Sequence, residues 1–159
     1  MPTGSARTST RRSITTPRLV ADQPIPRGII DTSVVIDLEH VPVRDLPAEL
    51  AVSAVTLAEL AAGPHATPDS QERARRQDRL QRAEATFEPL PVDANVARAY
   101  SRIYAAVSGT GRKARAARSL DLLIAATALA SDLPLYTRNP GDFRGTETLI
   151  DIVALAPAS

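Results

Sequence analysis

Four acidic residues stand where strand-then-helix units would present their chemistry: Asp31 behind "GII", Glu59 within "VSAVTLAELAAG", Asp121 in "SLDLL" and Asp142 behind "LPLYTRNPG". The chain has no cysteine and only His40 and His65 as imidazoles, which excludes disulfides, thiol catalysis and zinc-thiolate sites together. Metal chemistry must then lean on carboxylate oxygen, which favours hard ions such as magnesium or manganese over zinc. Carboxylates gathered in one small volume raise each other's pKa values and cost stability until a cation neutralises them. Taken singly, each acid has a plainer use. Asp31 fits a helix cap, Glu59 a helix surface, Asp121 the positive end of a helix and Asp142 a turn.

The elements that must carry these acids follow from periodicity and punctuation. "GIID" is a short β-branched run, and "TSVVIDLEH" continues as a helix with a hydroxyl at its start, so Asp31 falls at a strand's carboxyl end. Leu50 to Ala54 reads as a second strand and Thr56 lies near a helix start, with Leu57, Leu60 and Ala61 on one face and Gly63-Pro64 as the stop. Residues 70–86 form a helix with a heavily charged side and a sparse stripe of Leu80, Ala83 and Phe87. "EPLPVD" is extended, and Asp93 caps a helix bearing Val96, Tyr100, Ile103 and Val107. "SGTGRKARAARS" breaks the pattern as a flexible basic loop, after which Ser119 is the expected cap of an Ala-rich helix with Asp121 in its first turn, ending near Ser131. "LPLYT" is a strand, Asn139-Pro140-Gly141 a turn presenting Asp142, and "ETLIDIVAL" a last strand. Strands separated by helices predict a three-layer α/β/α fold with a mainly parallel sheet. In such sheets ligands sit beyond the carboxyl ends of the strands, where Asp31, Asp121 and Asp142 fall and toward which Glu59 can lean.

At 159 residues, 43% hydrophobic and 23% charged, the chain suits a single domain. No apolar run approaches the roughly 18 residues a membrane span needs, and no secretory apolar core stands near Met1, so a cytoplasmic protein without membrane association is expected. The net charge of +1 conceals an asymmetry. Residues 1–27 hold Arg7, Arg11, Arg12, Arg18 and Arg27 against Asp22 alone, leaving an excess of three negative charges elsewhere. That Ser/Thr/Arg/Pro-rich segment reads as a disordered basic tail ahead of a domain over 28–155. Met1 is the sole methionine and nothing periodic precedes Arg27, so Val20 is an expected alternative translation start.

"IIDTSVVIDL", "VSAVTLAELAAG", "LPVDANVARAYSRIYAAV" and "SLDLLIAATALASDLPLYTRNPGDF", in this order and spacing, resemble a PIN-domain ribonuclease of the bacterial VapC toxin type, from about Gly28 to Val153. The resemblance implies a magnesium- or manganese-dependent endoribonuclease that leaves a 5′-phosphate and a 3′-hydroxyl. It also implies a cognate VapB-type antitoxin laid over the helices near Leu38 and Leu60, and a homodimer. By position, Asp31, Glu59, Asp121 and Asp142 would form the acidic metal site, with Asp31 and Asp121 the principal ligands and Glu59 and Asp142 binding a second ion or orienting water. Thr32 and Ser33 would orient the site by hydrogen bonds. Some PIN domains carry an acid where this chain has Asn139, so Asn139 and Asp142 both stand as candidates to complete the site, with Asp142 favoured.

Arg112, Lys113, Arg115 and Arg118, with Arg138, either form a solvated surface or bring the RNA backbone toward the acids through phosphate contacts. Three tyrosines and two phenylalanines are too few for a broad base-stacking platform. Asp37, Glu39, Asp93 and Asp151 are assigned no chemistry, and His40 and His65, in loops without a carboxylate-spaced partner, no ligand role. The competing reading is a non-catalytic RNA- or antitoxin-binding PIN-like module. A phosphatase or receiver-like protein is disfavoured, because neither an Asp-x-Asp nucleophile motif nor a phosphate-cradling glycine loop follows the first strand. Asn in place of Asp31 or Asp121 is expected to leave the fold intact, or to stabilise the metal-free form by relieving like-charge repulsion.

Overall fold

The computed structural model describes residues 26–110 and 116–157. The basic tail up to residue 25, with Val20, and Arg112, Lys113 and Arg115 of the basic loop lie outside the described residues. Four short strands, β1 (Arg27–Ile30), β2 (Glu49–Ala51), β3 (Leu135–Thr137) and β4 (Ile152–Ala154), form one sheet in the order β2-β1-β3-β4, with every pairing parallel. Helices α1 (Thr32–Ile36), α2 (Ala54–Ala62), α3 (Ser70–Thr86), α4 (Ala94–Ser108) and α5 (Ala116–Ser131) surround it.

Alternation along β1 divides the core, because successive side chains of a strand leave on opposite faces. Ile29 packs with Ile103, Val107, Leu122 and Ala125 of α4 and α5, whereas Ile30 packs with Val34 and Val35 of α1, Leu60 of α2 and Ala83 of α3. Both isoleucines are fully buried, so the sheet is covered on both sides, as the expected three-layer fold requires. Gly28 allows the close pass of β1 over Tyr136 of β3, since a Cβ there would run into the tyrosine ring. "EPLPVD" is extended as expected: Leu90 bridges to Ser53, donating to the Val52 carbonyl and accepting from the Ala54 amide, each at 2.8 Å. Among the described residues no helix is long and apolar enough to cross a membrane.

The structure moves several boundaries. "TSVVIDLEH" yields only a five-residue α1, then a 3-10 turn over Leu38–His40, because its β-branched residues are weak helix formers and Asp37 leaves the helix to meet Arg138. Ser53 caps α2, its hydroxyl accepting from the Val55 amide at 3.1 Å, and Thr56 lies in the first turn of the helix, near its start as expected. The good helix formers "AAR" extend α5 back to Ala116, so Ser119 is no cap and Asp121 sits in the second turn. The last strand shrinks to Ile152–Ala154, because the Thr146 carbonyl accepts from Leu149 and Ile150 and turns the preceding chain. Asp93 caps α4 as expected, accepting from the Val96 amide at 3.0 Å.

Candidate functional site

Asp31 is the first residue past β1 and the N-cap of α1, accepting at Oδ1 from the Val34 amide at 3.1 Å. The cap is only part of its role. β3 runs beside β1 and delivers Thr137, whose hydroxyl donates to Asp31 Oδ2 at 2.5 Å. The Ser33 hydroxyl donates to Oδ1 at 2.5 Å. Two consecutive amides in the loop after β3 orient these hydroxyls: Arg138 N donates to Ser33 Oγ at 3.2 Å, and Asn139 N to Thr137 Oγ1 at 3.0 Å. Each hydroxyl, accepting from an amide, turns its own proton to the carboxylate. Asp31 is 4% exposed. Burial pushes its pKa up, and the bonds from Ser33, Thr137 and Val34 oppose that rise.

The other acids arrive from separate elements. Glu59 stands on α2, where the Thr32 hydroxyl, 3.2 Å from that of Thr56, donates to its Oε1 at 2.8 Å. Asp121 lies on the second turn of α5, and Asp142 on the 3-10 turn Pro140–Phe143 after β3. The Asp121 pKa is pushed up to about 7, first by burial, then by the charges of Asp142, Glu59 and Asp31, against a smaller opposing effect of Arg118. All four expected acids thus share one electrostatic neighbourhood. Among charges, Asp142 acts most strongly on Asp121, whereas the Asn139 side chain makes no capping bond to the turn it precedes.

No three His, Asp or Glu side chains among the described residues converge tightly enough to hold a metal ion alone. The donor chemistry nevertheless fits a hard divalent ion. Magnesium retains several waters and is commonly held by only one or two carboxylates together with substrate phosphates. An acid raised to about 7 by burial and by neighbouring acids marks a site short of positive charge.

Arg138 turns out to have a different task from the expected RNA contact. Its side chain is only 9% exposed, with Nη2 3.1 Å from Asp37 Oδ2 and Nη1 donating to the Ala156 carbonyl at 2.8 Å. It ties α1 to the chain beyond β4 and holds the loop whose amides orient Ser33 and Thr137. Asp37, assigned no chemistry, anchors that tie, and His40 has a carboxylate partner after all, its Nδ1 2.8 Å from Asp37 Oδ1. Arg118, in the first turns of α5, remains beside the acids through its effect on Asp121.

Thr137 is the residue that motif reading missed. Thr137→Val is expected to strand the Asn139 amide and remove a donor from Asp31, lowering stability by about 1–2 kcal/mol. RNA cleavage should fall about tenfold, with Thr137→Ser restoring both. Urea denaturation and initial cleavage rates check this; a Val variant equal to the parent would show that the hydroxyl does not hold Asp31.

The PIN domain family model matches residues 29–147 of this parallel α/β fold, and so spans the four acids that share one electrostatic neighbourhood. The chain belongs to that family, in its VapC-type ribonuclease branch. It is 37% identical over 115 residues to Ribonuclease VapC5 of Mycobacterium tuberculosis, covering 70% of this chain and 82% of that one. With Ribonuclease VapC8 of the same species it shares 38% over 102 residues, 64% of this chain and 89% of the relative. The crystal structure of VapBC-5 from Mycobacterium tuberculosis, a member of the VapBC family of toxin-antitoxin systems, superposes with a TM-score of 0.71 at 33% identity, covering 84% of this chain and all of that one.

Proposed function

We propose that this chain is the toxin of a type II toxin-antitoxin pair, an endoribonuclease that uses magnesium or manganese to cut RNA and arrest translation in the cytoplasm. Residues 28–155 form the nuclease and 1–27 a basic appendage. The observation that carries the reading is the rise of Asp121 to about 7 under the charges of Asp142, Glu59 and Asp31, in a chain of the VapC branch. VapC-type ribonucleases typically depend on metal. A bound divalent ion supplies polarisation of the scissile phosphate and acidification of the attacking water.

The chain's own groups prepare for that ion. Ser33, Thr137 and the Val34 amide fix Asp31 in one orientation. Thr32 fixes Glu59. Asp31 and Asp121 would hold the ion, with Asp121 in its ionised form, and Asp142 would bind a second ion or orient water, with the Asn139 amide as a neutral contact. Arg112, Lys113, Arg115 and Arg118 hold backbone phosphates, which gives affinity without sequence information.

The expected partners are a VapB-type antitoxin and a second copy of the chain. Solved relatives include a member of the VapBC family of toxin-antitoxin systems. A groove with an apolar floor and a charged rim supports the antitoxin site: Val35, Ile36, Leu38, Ala83 and Phe87, with Glu39, Arg79 and Arg82, line a cavity of about 310 Å³, and Ile36 is 47% exposed. Such a groove suits an amphipathic segment.

Incubation with total cellular RNA should give metal-stimulated cleavage with 5′-phosphate ends, abolished by EDTA and restored by magnesium or manganese. RNA binding without metal-stimulated turnover would instead favour the non-catalytic module.

A further inference from the structure

Arg76, Arg79 and Arg82 recur every third residue along α3, each step rising about 4.5 Å on neighbouring positions of the helix surface. The outer two have partners: Arg76 Nε lies 2.9 Å from Glu72 Oε1 and its Nη1 donates to the Gly63 carbonyl at 3.0 Å, and Arg82 Nη2 lies 2.7 Å from Asp78 Oδ2. Arg79 differs. It is half-buried, and among the described residues it has neither a hydrogen-bond acceptor nor an ion-pair partner. It also lines two cavities at once: one of about 390 Å³ shared with Thr32 and Glu59 of the acidic site and with Glu72, and a mixed one shared with Val35, Phe87 and Glu39.

A half-buried guanidinium that bonds no acceptor keeps its donors open to a phosphate. We propose that Arg79 anchors a backbone phosphate of the RNA strand where it leaves the acidic edge over α3. The inference rests on the nuclease reading above and extends it to the path of the substrate. The acids repel phosphates that no metal has neutralised, so a strand entering this edge needs a fixed cation nearby. Arg79 occupies the cavity that contains Glu59, and its planar fork matches phosphate oxygens in pairs. The adjoining cavity, where Val35, Ile36 and Phe87 meet Glu39 and Arg82, suits an amphipathic protein segment, and a segment seated there covers the same guanidinium. Inhibitor and substrate then compete for Arg79.

The test is fluorescence anisotropy of a labelled 20-nucleotide single-stranded RNA with the full chain, calcium replacing the reactive ion, from low to moderate salt. Arg79→Gln should weaken binding about fivefold and reduce the slope of log affinity against log salt by about 0.7, one single-strand phosphate contact. Arg79→Lys should keep the slope. An unchanged slope in Arg79→Gln, or equal losses in Gln and Lys variants, overturns the assignment while leaving the nuclease intact. Loss of antitoxin binding with RNA binding unaltered also overturns it, giving the guanidinium to the protein partner. A parent chain that neither binds nor cuts RNA removes the nuclease reading and this inference together.

Discussion

Asp121→Asn is expected to lower metal-dependent RNA cleavage by about 10²- to 10³-fold while making the metal-free protein more stable at neutral pH. Both effects have one cause. Burial and the charges of Asp142, Glu59 and Asp31 hold the Asp121 pKa at about 7, above its ordinary 3.8. Between those values the folded protein keeps a proton that the unfolded chain has shed, so metal-free stability falls as pH rises through the window and levels off above it. Asparagine does not ionise and escapes that fall. Asp121 is partly open to solvent, so the gain above pH 7 is reduced by screening to about 1–2 kcal/mol, and it should vanish near pH 4. A bound divalent ion reverses the sign, favouring the ionised acid, so magnesium should raise the melting temperature of the parent more than that of the variant. Thermal melts across pH, with and without EDTA, test the stability half. Parental cleavage by Asp121→Asn would remove Asp121 from the site.

The sequence made the acids and their order legible because each falls next to local punctuation: a hydroxyl pair after Asp31, Gly63-Pro64 after the helix of Glu59, a turn before Asp142. The β-branched run ahead of Asp31 was equally readable as a short strand. Thr137 was not readable in the same way. Its importance depends on β3 lying beside β1, a neighbour relation between segments 106 residues apart that no local pattern encodes. Arg138 fails for a related reason. A lone arginine in a turn looks like a phosphate contact until the chain beyond β4 and the short α1 close over it and bring Asp37 within 3.1 Å. The early start of α5 was hidden by two glycines and a basic cluster that read as loop, although Ala and Arg favour a helix once one end is packed.

Asp31→Ala should abolish cleavage as thoroughly as the Asp121 change, yet with the opposite effect on stability, a loss of about 2–4 kcal/mol. The two acids share a site but not an environment. Asp121 is surrounded by like charges, whereas Asp31 meets three donors, Ser33 Oγ, Thr137 Oγ1 and Val34 N, at 4% exposure. Alanine leaves both hydroxyls, each already accepting from an amide, without an acceptor for their protons, and uncaps α1. Asp31→Asn separates the contributions. It removes the charge that burial disfavours but turns an amide donor toward either Thr137 or the Ser33–Val34 pair, so relief and conflict offset and its stability should fall between parent and alanine. Asparagine is therefore expected to be harmless at Asp121 and costly at Asp31. Urea denaturation in EDTA measures the three variants side by side. If Asp31→Ala is as stable as the parent, the hydroxyl clamp does not hold the end of β1, and metal alone would have to orient Asp31.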